Sequence, residues 1–254
     1  MSELQRDRLR VVRLVDRGAI GAAAADHVAG RLRALLETQA RVRTIFGAAA
    51  SQLEFLDHLA RADGIDWARV EAFHLDEYVG LPLGDPRSFG EWLDEHIFSR
   101  VDPGLVELMN GGAPDPAAEA ERYGRLLADG GLDLALIGIG ENGHLAFNDP
   151  HVADFDDPLV VKPVEIDDMS RHQQVRDGAF AEFEAVPRLA LTVTMSTILA
   201  SRALSVVVPG AQKAAAVART LDGPIETACP ASALRRHPDA VLFVDDASLP
   251  TTIR

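Results

Sequence analysis

Segment 132–150, LDLALIGIGENGHLAFNDP, restricts the fold of this chain more than any other stretch. Its opening, 132–137, is apolar except for Asp133, the composition of a strand buried on both faces. Three glycines follow, Gly138, Gly140 and Gly143, and behind them come a histidine, His144, and an acid, Asp149. A strand of this kind belongs in a largely parallel sheet with helices on its faces, so the expected class is α/β. Ligands in such folds sit outside the carboxyl ends of the strands, where this turn delivers an imidazole and a carboxylate.

The remaining sequence alternates in the same way. Apolar runs at 11–15, 42–46, 70–75, 189–193, 203–208 and 240–244 read as strands, and segments 19–38, 52–61, 89–98, 114–128 and 211–221 read as helices. Residues 80–87 form a Gly/Pro loop. Residues 149–163 hold three prolines and several acids and read as irregular, and an insertion would fall at 149–185. No repeat, low-complexity block or linker interrupts the 254 residues, so a single domain over 1–254 is expected.

Composition narrows the function. At 47% hydrophobic the chain can bury a substantial core, and at 6% aromatic that core must be mainly Ala, Leu, Val and Ile. A net charge of −14 argues against nucleic acid or an anionic membrane as partner, while leaving room for a small anionic substrate. Cys229 is the only cysteine, which excludes a disulfide framework and a Cys-based zinc site. The charged N-terminal residues precede no apolar signal core, and no run approaches ~18 apolar residues. The expectation is a cytoplasmic protein.

Residues 138–143 match G-x-G-x-x-G literally, which invites a dinucleotide-binding reading. That motif needs a long helix starting at the turn, and Pro150 with the loop-like 154–158 leaves too little room for one. The plainer reading gives the glycines to turn geometry alone and His144 to a cap or the core. It loses ground because three other strand ends carry similar chemistry. At 73–82, FHLDEYVGLP, a strand ends in Asp76 and Glu77, either of which could be a shielded base or merely a cap. At 47–51, GAAAS, small residues lead into a helix whose N-terminus would favour an anion, with Ser51 as donor or cap. At 208–213, VPGAQK, Lys213 stands at a helix start, where a cation is unfavourable unless an anion pairs with it. Arg171 and Arg176 frame the polar stretch 170–178, and arginine forks suit phosphate. Together these groups suit proton abstraction next to a carbonyl on a phosphorylated sugar. Serine-hydrolase, P-loop and H-E-x-x-H signatures are missing from the sequence.

Four segments, FHLDEYVGLP at 73–82, GIGENGHLAFNDP at 138–150, LALTVTMSTIL at 189–199 and VPGAQKAAAV at 208–217, resemble the glucosamine-6-phosphate deaminases, also called isomerases, in family order and across nearly the whole chain. The related 6-phosphogluconolactonases tend to read S-D-E-R where this chain has Leu75-Asp76-Glu77-Tyr78. The resemblance implies a Rossmann-like three-layer αβα sandwich and conversion of an amino-sugar phosphate to a ketose phosphate and ammonia. It implies a small sugar phosphate as partner and no metal or organic cofactor. By position, Asp76 matches the base that moves a proton between C2 and C1, and His144 the residue that opens the sugar ring. Asp149 stands where the family usually has Glu, and Asn142 where many members have Asp. Lys213 matches the phosphate lysine and Arg176 the phosphate arginine, with Arg171 as fallback. Gly47, Ala49, Ala50 and Ser51 belong to the loop that replaces the usual P-T-G-x-T. The departures at Asn142 and 47–51 keep a non-catalytic sugar-phosphate sensor open. A 6-phosphogluconolactonase and a galactosamine-6-phosphate isomerase are the rival enzymes. The sequence leaves the association state, homo-oligomer or not, undetermined.

Overall fold

The computed structural model describes residues 1–249; residues 250–254, the end of the expected domain, lie outside the described residues. The chain begins with a hairpin of β1 (Ser2–Arg6) and β2 (Leu9–Leu14), then α1 (Arg17–Thr38), β3 (Val42–Phe46), α2 (Leu53–Ala60) and β4 (Val70–His74). Next come β5 (Asp76–Tyr78), α3 (Phe89–Leu93), a π turn (Asp94–Phe98), α4 (Ser99–Val101) and β6 (Leu105–Glu107). α5 (Pro116–Ala128), β7 (Leu134–Ile137), β8 (Val161–Glu165) and α6 (Asp168–Arg176) follow. The chain closes with β9 (Leu189–Val193), α7 (Met195–Leu199), β10 (Ala203–Val208), α8 (Ala214–Asp222) and β11 (Ala240–Asp245).

Eight strands form the main sheet in the order β1-β2-β11-β10-β7-β3-β4-β6, parallel except for the β1–β2 hairpin. Helices cover both faces. On one, α1 buries Ile20, Ala24, Val28, Leu32 and Leu36, a helical spacing, together with Phe55, Leu56 and Leu59 of α2. On the other, Ala120, Tyr123 and Leu127 of α5 and Val217 and Leu221 of α8 pack on the sheet. This is the expected three-layer αβα sandwich. The chain progresses from β3 to β4 in one direction and from β7 to β10 in the other, so a crevice opens between the carboxyl ends of β3 and β7.

A second, antiparallel sheet, β5-β9-β8, lies beyond those ends. The expected strand at 70–75 therefore stops at His74, and Leu75 is the joint between sheets. Its N–H donates to Phe46 O at 3.1 Å, as in the parallel sheet, while its carbonyl accepts from Val193 N of β9 at 2.9 Å.

The stretch 149–185, given as a possible insertion, holds two further elements: β8, which starts inside the part read as irregular, and α6. β8 has a proline at its centre, tolerated because this strand is at the sheet's edge. α6 has no apolar stripe; it buries Ser170, Arg171, Gln173 and Gln174 through polar contacts. The edge strands β1 and β6 also escape the sequence reading, one too polar and the other too short to show a pattern. The helix expected at 211–221 starts as a 3-10 turn, Ala211–Lys213, before α8. Among the described residues, no helix is long and apolar enough to cross a membrane.

Candidate active site

The crevice between β3 and β7 is a cleft lined by residues from four strand ends and from one helix. Gly47, Ala48, Ala49, Ser51 and Gln52 come from the turn after β3, and Asp76 from the start of β5. Gly138, Gly140, His144 and Phe147 follow β7, Gln173 and Gln174 lie on α6, and Lys213 follows β10.

No helix starts at the glycine turn. It folds back on itself instead: Gly140 N–H donates to His144 O and Gly143 N–H to Gly140 O. Gly140 is required for contact, because a Cβ there would lie 2.1 Å from Cε1 and Nε2 of His144. The imidazole thus rests on the backbone of Gly140, with no residue among those described bonded to Nε2.

Behind the ring lies Asp149, fully buried. Its Oδ1 is 3.0 Å from His144 Nδ1 and accepts from Asn142 Nδ2 at 2.8 Å and Ser170 Oγ at 2.5 Å. Its Oδ2 accepts from the Asp167 N–H at 2.9 Å. Burial opposes the charge, but His144, Asn142 and Ser170 outweigh it and hold the carboxyl down at about 2. A charged acceptor at Nδ1 places the ring proton there and leaves the Nε2 lone pair towards the cleft. Asn142 does not touch the imidazole ring. Its Oδ1 accepts from the backbone N–H of His144 at 3.0 Å, and its amide serves Asp149. Asn142 therefore orients the histidine through the turn and through Asp149.

Asp76 and Glu77, alike in sequence, face different surroundings. Glu77 accepts the N–H groups of Phe89 and Gly90 at the start of α3, at 3.1 and 3.0 Å. Burial pushes its carboxyl up to about 7 against those hydrogen bonds. Asp76 lines the cleft, and among the described residues nothing donates to its carboxylate. Burial, with the nearby charges of Glu77 and Asp149, pushes it well above the usual carboxylate range. A shielded carboxylate whose lone pairs accept no hydrogen bond is a strong proton acceptor.

The cationic end of the cleft is Lys213, whose ammonium is held below its ordinary value by burial, against the charges of Asp177 and Glu141. Arg176 lies close enough to act on that charge; its guanidinium is paired with Glu141 and half exposed. Arg176 itself does not line the cleft, and neither does Arg171. Arg171 is buried against Phe183, 3.8 Å from the ring centroid, and donates to Phe183 O and Val186 O at 2.9 and 3.0 Å. The 47–51 turn leads into a 3-10 turn, Ala50–Gln52, and then α2, and no side chain caps either start; Gly47 N–H donates to Leu136 O at 2.7 Å and Gln52 N–H to Ala49 O at 2.8 Å, which leaves the N–H groups between them for an anion. Ala50 lies just outside the cleft, its carbonyl bonded to Arg17.

Ser170, Gln52, Gln173 and Gln174 escaped the sequence reading. Gln52 is buried and donates to Ser51 Oγ and Val207 O, both at 3.1 Å, which ties the 47–51 turn to β10. Gln173 accepts from Glu141 N at 3.1 Å and Gln174 from Tyr78 OH at 2.8 Å, which seats α6 on the cleft. For Gln173 and Gln174 the available signal was their place between Arg171 and Arg176 in the polar stretch 170–178, which also begins with Ser170; Gln52 had none beyond following Ser51.

The family model for glucosamine-6-phosphate isomerases and 6-phosphogluconolactonases matches residues 15–243. A glucosamine-6-phosphate deaminase of Arthrobacter sp. (strain FB24) is 36% identical over 248 residues, covering 94% of this chain and 91% of the relative. One from Geobacillus sp. (strain WCH70) is 36% identical over 196 residues, 76% of this chain and 75% of the relative. Among solved structures, a monomeric glucosamine-6-phosphate deaminase superposes with a TM-score of 0.87 at 28% identity, covering 96% of this chain and 99% of that one. A 6-phosphogluconolactonase from Shewanella baltica OS155 superposes at 0.76 with 17% identity, over 92% of this chain and 97% of that one, a likeness of fold alone.

Proposed function

The chain belongs to the glucosamine-6-phosphate isomerase/6-phosphogluconolactonase family, and on that premise we propose that it is a glucosamine-6-phosphate deaminase. The reaction is D-glucosamine 6-phosphate plus water giving D-fructose 6-phosphate plus ammonia. Lys213, Arg176, Ser51 and the backbone N–H groups of Ala49 and Ala50 hold the phosphate, while Gly47, whose N–H is given to Leu136 O, supplies space rather than a donor. Anion binding there must draw Arg176 from Glu141. His144 Nε2 takes the proton of the anomeric hydroxyl and returns it to the ring oxygen, which opens the pyranose. Asp149, oriented by Asn142, stabilises the imidazolium formed in between. Asp76 takes the C2 proton and delivers it to C1. The C2 amine becomes an imine, water adds to it, and ammonia leaves. The substrate's ammonium favours the ionised form of Asp76 that the first transfer needs.

The observation that carries this reading is Asp76, buried, without a donor among the described residues and facing the same cleft as His144. Lactone hydrolysis needs one base to activate water. Moving a proton between adjacent carbons needs a second base directed at the sugar's carbon chain, and Asp76 supplies it. The reading places the protein in the cytoplasm, since sugar phosphates do not cross membranes unaided. It requires no second copy, because every residue given a role lies on one chain.

The test offers purified protein glucosamine 6-phosphate, galactosamine 6-phosphate and 6-phosphogluconolactone and follows ammonia, ketose phosphate and acid. Ammonia and ketose phosphate in equal amounts, fastest from glucosamine 6-phosphate, are expected. Acid from the lactone without ammonia from either amino sugar overturns the reading, as does saturable binding without turnover.

A further inference from the structure

Among the described residues, Ser170 is the one outside the glycine turn whose side chain reaches both members of the His144–Asp149 pair. Its Oγ lies 2.9 Å from His144 Nδ1 and 2.5 Å from Asp149 Oδ1, and it is buried. A hydroxyl has one proton to give. The shorter contact, to an anionic carboxylate, has the length of a charge-assisted O–H···O bond, so the proton points at Asp149. Ser170 Oγ then turns a lone pair towards His144 Nδ1. Both oxygens next to Nδ1 are acceptors, and a ring without a proton there would face two lone pairs. The same hydroxyl is one of four donors to Asp149: with His144 and Asn142 it meets Oδ1, while the Asp167 N–H meets Oδ2.

We propose that Ser170 is a positioning residue that holds His144 with its proton on Nδ1 and its Nε2 lone pair directed at the substrate. The proposal deepens the deaminase reading and rests on it where turnover is concerned. Ser170 never touches the sugar; it acts through the histidine. It rides on α6, whose last residue is Arg176. The helix that meets the phosphate end of the cleft therefore also completes the surroundings of the ring-opening base.

The test compares Ser170→Ala and Ser170→Thr with the parent. Alanine favours a helix, so α6 is retained in the first variant. The Ala variant is expected to lose about 10-fold in kcat on glucosamine 6-phosphate with KM within about 2-fold, the scale of one lost hydrogen bond to a charged group. The Thr variant keeps the hydroxyl and is expected to recover most of that loss. Nitrogen-15 spectra of ring-labelled histidine, with His144 assigned from a His144→Gln variant, are expected to show Nδ1–H in the parent and a growing Nε2–H population in the Ala variant. An Ala variant with parental kcat, a Thr variant no better than Ala, or unchanged His144 nitrogen shifts overturns the proposal. A parent that releases no ammonia from glucosamine 6-phosphate overturns the deaminase reading instead, and the nitrogen shifts still decide on Ser170.

Discussion

Two buried carboxylates serve this cleft, and they are set to opposite states. Asp149, at the end of the glycine turn, is buried and yet is held at about 2. Asp76, at the start of β5, is also buried and is pushed well above the usual range. Burial opposes the charge on both; what sets them apart is their donors. Asp149 has four, Asp76 has none among the described residues, and each is placed near the other's charge. The turn stabilises a permanent anion that supports a histidine. The sheet junction leaves a carboxylate unsatisfied, ready to accept a proton.

The largest test of this contrast is Asp76→Asn. Turnover is expected to fall about 10³-fold or more, with KM close to the parent's. Stability should move the other way. Burial raises the folded-state pKa of Asp76 above its unfolded value, so its favourable contribution is full at low pH and lost as pH rises through the raised value. The Asn variant escapes that loss. Its advantage in urea unfolding should be small at pH 5 and grow towards pH 8. A variant that is less stable than the parent at pH 8 breaks the comparison.

Asp149→Asn comes next, with turnover down about 10²-fold because the imidazolium loses its counter-charge. Here stability falls as well. The folded pKa lies below the usual 3.8, so the contribution is full above that value and lost as pH falls towards about 2. At pH 7 the variant should be roughly 2 kcal/mol less stable by denaturant titration. Equal stability of parent and variant at pH 7 would show that the four donors do not set the charge.

Asn142→Asp is a finer probe. It puts a second carboxylate where an amide now donates to Asp149 at 2.8 Å. Two carboxylates so close share a proton, so the acid limb of the kcat–pH profile should move up by about one unit or more. Activity at pH 8 should stay within about 5-fold. Superimposable profiles would mean that the Asn142 amide contributes little to the state of Asp149. The smallest effect is expected from Glu141→Gln, which frees Arg176 for the phosphate. KM should fall about 2–3-fold with kcat unchanged, the modest scale of an exposed ion pair.

The frame of this fold is legible in local pattern because the core strands carry near-continuous apolar runs. The burial of β7 on all four residues follows from LALI, and the helical spacing of α1 from its own apolar positions. Pattern fails where an element is held by something other than its apolar side chains. β8 tolerates Pro163 only as an edge strand, and α6 is seated through Gln173, Gln174 and Ser170, whose partners lie 32, 96 and 26 residues away. Asp76 and Glu77 are adjacent in sequence, and no local rule says which faces the cleft. The sheet junction at Leu75 settles it by handing Glu77 to the α3 backbone.

By itself, then, the sequence determined a parallel sheet with covered faces, a glycine turn bringing His144 and Asp149 to a strand end, and a lysine after β10. Apolar burial and glycine geometry are written in neighbouring residues, so these could be read directly. The family resemblance already favoured Asp76 and Arg176, but only the tertiary structure supplied the reasons: Glu77 is tied to the α3 backbone while Asp76 lines the cleft, Arg171 is buried against Phe183 while Arg176 lies near Lys213, and Ser170 closes the network behind His144. Those choices depend on hydrogen-bond partners brought together from distant segments, and a donor's direction exists only once the chain has folded around it.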